Sequence, residues 1–156
     1  MGGLGAVNLA LLNRDTYSAA ASHSGVLGPL FIGPRPFAQP LHYASDMKEL
    51  EAAWSASLFR TIVPAFGSEL TGWRRRDPVS LLKDAKSAGR PLPALRVDVG
   101  RDDDLVVNGN RAFRWELEQA GIRLEYLEHP GAHSWEYWRS HVGESLRWLA
   151  ERVAVR

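Results

Sequence analysis

The carboxyl-terminal third of the chain carries the clearest pattern of apolar and polar positions. Leu95 to Val99 is a short apolar run of the kind that fills a buried strand, and it stops at Gly100-Arg101-Asp102-Asp103-Asp104-Leu105. Asn108 to Ala120 then sets Ala112, Phe113, Glu116, Leu117 and Ala120 at helical spacing, with Gly121 as the stop. Arg123 to Glu128, where Leu124 and Tyr126 alternate with polar residues, predicts a second strand. Pro130 and Gly131 end it. Ser134 can cap a terminal helix whose amphipathic pattern runs through Trp138, Val142, Ser145, Leu149 and Val153. Strand–helix–strand–helix with such connections implies a parallel sheet and right-handed crossovers.

The rest of the chain is less regular. Met1 to Asn13 reads as a helix with apolar residues nearly all round (Leu4, Val7, Leu9, Leu11, Leu12), hence a buried one. It has no strand before it and no capping residue, so it looks cut rather than started. Tyr17 to Ser24 predicts a small-residue strand ending in Ser-Gly. From Val26 to Pro93 glycines, prolines and irregularly spaced aromatics break the pattern, and Ser45–Phe59 and Pro78–Ser87 are the best helical pieces. The expected organisation is a single partial domain: a helix and strand over 1–25, a cap-like insertion over 26–93, and a strand–helix–strand–helix unit over 94–156.

Composition narrows the classes. The 156 residues are 45% hydrophobic and 24% charged with a net charge of +1, an ordinary balance that offers no electrostatic footprint for nucleic acid or a membrane surface. No cysteine is present, which excludes a thiolate nucleophile, a disulfide framework and a cysteine–zinc site. No apolar run is long enough to span a bilayer. Arg14-Asp15 interrupt the segment between the apolar Leu4–Leu12 run and Ala19-Ala20-Ala21, so no signal peptide is expected and a cytoplasmic location is.

Two predicted strands end in polar loops on one edge of a parallel sheet: the acidic cluster Asp102–Asp104 after the first, and His133 after the second. A carboxylate there can reach the imidazole, fix its tautomer and make it a general base. That is two thirds of a nucleophilic triad, in the order acid then histidine. The missing member would precede both, on a strand-to-helix turn of the G-x-S-x-G type.

The start of the chain then acquires a meaning. Met1-Gly2-Gly3-Leu4-Gly5-Ala6 resembles the second half of such a turn in the form G-x-S-M-G-G. Together with Ala19–Gly25, Asp77-Pro78, Gly100-x-x-Asp103-x-Leu105 and Gly131-Ala132-His133-x-Trp135-x-Tyr137-Trp138, it makes the chain similar to the carboxyl-terminal portion of the Putative esterase family of α/β-hydrolases. The last two motifs, at their mutual spacing, are the specific ones. The resemblance implies an α/β fold with a parallel sheet flanked by helices, Asp103 as triad acid, His133 as base, and the Met1 backbone N–H as one oxyanion donor. It implies a carboxylic-ester hydrolase acting on a small acyl ester, with no organic cofactor and no metal, and with the nucleophilic serine lying just before residue 1. The chain as it stands is then expected to be truncated or inactive. A decayed hydrolase, acting if at all as a binding or interaction module, is the alternative. With strands missing beside Tyr17–Ser24, that sheet edge is expected to be bare and to invite self-association.

Other residue groups have plainer readings. Three adjacent aspartates point in different directions and read as a solvated loop at a helix start rather than a cation site. His129 and His133 are separated by Pro130-Gly131 and cannot form a helical zinc pair. His23, His42 and His141 have no supporting pattern. Ser22 and Ser24 sit at a strand end without the tight turn a nucleophile needs. Asp98 lies inside its strand. Arg74-Arg75-Arg76 reads as a solvated face, and Trp54, Phe59, Phe66 and Trp73 are as compatible with a small core as with an acyl pocket.

Overall fold

The computed structural model describes residues 1–153, the side chain of Val153 excepted, so the end of the expected 94–156 unit lies outside the described residues. Helix α1 (Gly2–Leu12) leads to strand β1 (Ala19–His23). Next come β2 (Phe31–Gly33), β3 (His42–Tyr43) and four helices, α2 (Met47–Ala53), α3 (Ala56–Phe66), α4 (Leu70–Arg74) and α5 (Pro78–Ser87). The chain ends with β4 (Ala94–Gly100), α6 (Val107–Gln119), β5 (Glu125–His129) and α7 (Trp135–Val153).

The principal sheet has the order β1-β4-β5 with both pairings parallel, His23 opposite Asp98 and Gly100 opposite His129. All three strands therefore end on one edge. β2 and β3 form a small antiparallel pair that the sequence pattern did not signal, because each is too short to show alternation.

Local chemistry explains most boundaries. The expected helix over Ser45–Phe59 is two helices. Asp46 accepts from Glu49 N–H to start α2, while the Glu49 carboxylate accepts from Ser45 N–H, a reciprocal cap. Ser55 then accepts from Leu58 N–H and starts α3. Asp77 caps α5 in the same way through Ser80 N–H at 2.9 Å. The aromatics of this segment pack together: Phe59, Phe66 and Trp73 are all buried, with ring centroids 5.8 and 4.5 Å from Trp73. They join one continuous core with Leu4, Val7 and Leu11 of α1, Leu82 of α5, Leu95 and Val97 of β4, and Phe113 and Leu117 of α6.

Two helices differ from expectation in which face they bury. α1 buries Leu4, Val7, Ala10 and Leu11 but leaves Leu9 and Leu12 exposed, so it is not buried all round. α7 turns Ser145 inward as expected, and with it Tyr137 and Trp148, but exposes Val142 and Leu146. The reason is the sheet face beneath it. Alternation along β4 sends Leu95 and Val97 to the main core, Val99 to a smaller apolar cluster with Val26, Val106 and Val107, and Arg96 and Asp98 to the opposite side, under α7. There Arg96 donates to Ser145 Oγ at 3.2 Å and pairs with Glu125 and Glu144, the Tyr137 hydroxyl donates to Asp98, and Trp148 Nε1–H donates to Glu125. Buried charges demand polar partners, and α7 rotates to supply them. Among the described residues no helix is long and apolar enough to cross a membrane.

Candidate active site

The turn after β4 places the acidic cluster with three different roles. Asp103 N–H donates to Gly100 O at 3.2 Å, and the Asp103 carbonyl accepts from Val106 and Val107 N–H at 3.1 and 2.9 Å, which opens α6. Its side chain is fully buried and accepts from His133 Nδ1–H at 2.9 Å. Asp102 faces the neighbouring loop: its N–H donates to Gly131 O at 2.9 Å and its Oδ2 accepts from Gly131 N–H at 3.1 Å. Asp104 is exposed.

His133 stands on the loop between β5 and α7, its side chain about one third exposed. With Nδ1 committed to Asp103, Nε2 is the ring atom left to exchange a proton. The ring is held edge-on by Trp138, with centroids 5.0 Å apart and planes at 88°. Ser134 starts α7 as expected, its Oγ accepting from Tyr137 N–H at 3.3 Å. The loop is zipped to the β4 turn by a further bond from Arg101 N–H to His129 O at 2.8 Å. Backbone approach at this point is very close: a Cβ on Gly100 would lie 2.1 Å from Gly131 O, so only glycine fits.

Met1 is half exposed at the N-terminal end of α1, where its carbonyl accepts from Gly5 N–H at 3.0 Å. Two residues on, Gly3 packs so tightly against the carboxyl end of β1 that a Cβ there would sit 2.8 Å from Gly25 Cα. The start of α1 thus abuts the edge on which β4 and β5 present Asp103 and His133. The structure brings Asp103 and His133 into direct contact.

The other groups fall elsewhere. Ser22 and Ser24 are buried, at 1% and 2% exposure, and are closed to a substrate. Arg74, Arg75 and Arg76 are exposed, as is His42. His23, His129 and His141 converge with Asp98 and Tyr137 beneath α7; His129 and His141 stack with centroids 4.4 Å apart. Burial there pushes the His23 imidazole below its ordinary value, against the pull of Asp98. Among the described residues no group of three or more His, Cys, Asp or Glu is disposed to hold a metal ion. A cavity of about 520 Å³ opens between α6 and β5, lined by Phe37, Trp115, Tyr126 and three arginines, and neither Asp103 nor His133 lines it. Sequence reading missed the structural work of Asp102 and Asp98, and it held Tyr137 as part of the Gly131–Trp138 motif without a partner for its hydroxyl.

Comparison with known proteins gives a consistent picture. The family model described as Putative esterase matches residues 1–149. An acetyl esterase from Caldicellulosiruptor saccharolyticus is 28% identical over 76 residues, which cover 49% of this chain and 28% of that one. The crystal structure of an S-formylglutathione hydrolase from Staphylococcus aureus matches with a TM-score of 0.62 and 21% identity, over 96% of this chain and 47% of the other. A fluorophosphonate-binding serine hydrolase of the same organism, solved with substrate bound, matches with a TM-score of 0.61 and 23% identity, over 95% and 50%. The chain thus spans about half or less of each of these relatives, and the two structural likenesses establish the fold.

Proposed function

The chain belongs to the Putative esterase family of α/β-hydrolases, and on that footing we propose that it carries the acid and base of a serine carboxylic-ester hydrolase. The observation that supports this most directly is the 2.9 Å bond from His133 Nδ1–H to a wholly buried Asp103. A buried carboxylate on Nδ1 fixes the tautomer that leaves Nε2 as a proton acceptor, and it stabilises the imidazolium formed during reaction.

In the proposed reaction a serine hydroxyl, on the peptide immediately before Met1, gives its proton to His133 Nε2 as its oxygen attacks an ester carbonyl. The Met1 N–H, once part of a peptide bond, donates to the oxyanion. The His133 imidazolium then protonates the departing alkoxide, and water, deprotonated by the same Nε2, releases the acid. No step calls on a metal or an organic cofactor. The opening turn of α1 packs on the end of β1, which supports a serine placed just ahead of it.

Fluorophosphonate labelling tests this reading. The gene product made from natural upstream DNA, with its intact mass recorded, is expected to exceed 17.3 kDa and to label at a serine preceding Met1, while the 156-residue chain alone stays unlabelled. Labelling that survives His133→Ala unchanged, or a longer product that takes no label, would overturn it.

A second reading draws on a different observation. β1 forms an edge of the three-stranded sheet among the described residues, and α1 and α7, which pack on it, expose apolar side chains: Leu9 and Leu12 on α1, Val142 and Leu146 on α7. Such a flank suits a chain that works by association rather than turnover.

A further inference from the structure

We propose that Tyr137, tethered to Asp98, is the positioning residue that sets His133 against Asp103, an inference that rests on the acid–base reading of that pair. β4 and the turn after it carry two buried carboxylates. Asp103 lies just past its end and takes the imidazole, while Asp98 lies within it, under α7, fully buried. Asp98 Oδ1 accepts from the Tyr137 hydroxyl. The acid strand therefore holds the histidine connection at two points, the imidazole itself and a phenol four residues later.

Tyr137 touches that connection on both sides of His133. Its ring fills the space beside Gly131, where a Cβ would come within 2.6 Å of ring Cδ2. Its N–H donates to Ser134 Oγ at 3.3 Å, and its carbonyl accepts from His141 Nδ1–H at 2.8 Å. The upstream limb of the loop is already pinned by Arg101 and Asp102 through His129 O and both backbone groups of Gly131. The downstream limb, where α7 begins, is tied to β4 through the Tyr137–Asp98 bond. Releasing it frees the helix start to lift, and the 2.9 Å bond from Nδ1 depends on that height.

The surrounding groups leave the phenol as the bonded partner of Asp98. From β1 His23 faces the carboxylate and from β5 His129, with Arg96 of β4 and His141 of α7 set near His23. His129 Nε2 stands 3.9 Å from Asp98 Oδ2, beyond hydrogen-bond range. Burial and the adjacent carboxylate push the phenol ionisation far up, so Tyr137 remains a donor.

The test reads the tautomer of His133 by nitrogen–proton correlation spectra of the intact chain, at a pH where the imidazole is neutral. The parent is expected to hold the proton on Nδ1, and Asp103→Asn to lose that preference. Tyr137→Phe keeps the ring against Gly131 and deletes only the hydroxyl. It is expected to stay folded and to raise the Nε2–H to Nδ1–H ratio about fivefold, the worth of one ordinary hydrogen bond. Asp98→Ala removes the same bond from the strand side and with it a buried charge, and should reproduce the shift. A folded Tyr137→Phe or Asp98→Ala chain with the parent tautomer overturns the proposal. So does loss of the fold in both, which would make Tyr137 a structural residue only. A longer chain that takes no fluorophosphonate removes the hydrolase reading and leaves this tautomer readout standing; an unmoved tautomer removes the positioning role and leaves labelling intact.

Discussion

Gly100→Ala probes the joint on which the site is hung. The added Cβ would sit 2.1 Å from Gly131 O and 2.7 Å from Gly131 C, both backbone atoms that no rotamer change can move aside. Restoring an ordinary contact requires the β5–α7 loop to retreat by roughly 1 Å, the gap to normal carbon–oxygen packing. That motion stretches the bonds from Arg101 N–H to His129 O at 2.8 Å and from Asp102 N–H to Gly131 O at 2.9 Å. Two such bonds at about 1 kcal/mol each, with an overpacking cost of about 1–3 kcal/mol, give a loss of about 3–5 kcal/mol. In a chain of this size that is a fall in Tm on the order of 10 °C. Because the same retreat draws His133 from Asp103, the His133 tautomer should lose its Nδ1 preference in the molecules that remain folded. Thermal unfolding followed by circular dichroism and the histidine correlation spectrum check the two parts. A melting point within about 2 °C of the parent, a change worth less than roughly 1 kcal/mol, together with an unaltered tautomer, would refute the view that this backbone contact sets the site.

Two more predictions come from other parts of the molecule. Glu128 accepts from Arg111 Nε and Nη2 at 2.9 and 2.8 Å and from the Tyr126 hydroxyl at 2.8 Å, and the Arg111 bond holds its carboxyl below the ordinary value of 4.5. A depressed acid stabilises the fold above its unfolded value and loses that contribution as pH falls through 4.5 toward the folded value. Glu128→Gln should therefore flatten the acid limb of a denaturant-midpoint-versus-pH curve, and an equally steep limb would contradict the pairing. The 156-residue chain by itself should associate through the β1 flank. Sedimentation velocity is expected to show mass rising with concentration and Leu12→Glu with Leu146→Glu to suppress it; a monodisperse monomer at all concentrations would count against the association reading.

What the sequence determined by itself was the part of the molecule governed by local pattern. An apolar run bounded by glycine at 100, helical spacing up to Gly121, and alternation stopped by Pro130-Gly131 were enough to place β4, α6 and β5 within a residue or two. From parallel strands it follows that Asp103 and His133 share an edge, and the motif register then selected Asp103 among three aspartates. The expected helices α1 and α5 are likewise present, and the polar residues that start α2 and α3 are visible in the sequence once the break at Trp54-Ser55 is known.

Tertiary structure decided what local pattern cannot encode. Periodicity assigns Val142 to the buried side of α7 together with Ser145, yet Val142 is exposed while Tyr137 and Trp148 join Ser145 inside. The choice is made by Arg96 and Asp98 on the sheet beneath, residues distant in sequence that must find polar partners once they are buried. The roles of Asp98 and Tyr137 have the same origin, while exposed Asp102 shares with them only a partner 29 or more residues away. β2 and β3 are too short to have a period, and their pairing exists only because the intervening chain returns Tyr43 to Phe31. Burial of charge, a cost felt only after the chain has folded around it, is the physical reason that the pairing of Asp103 with His133 followed from strand ends and loops while the residues that support it did not.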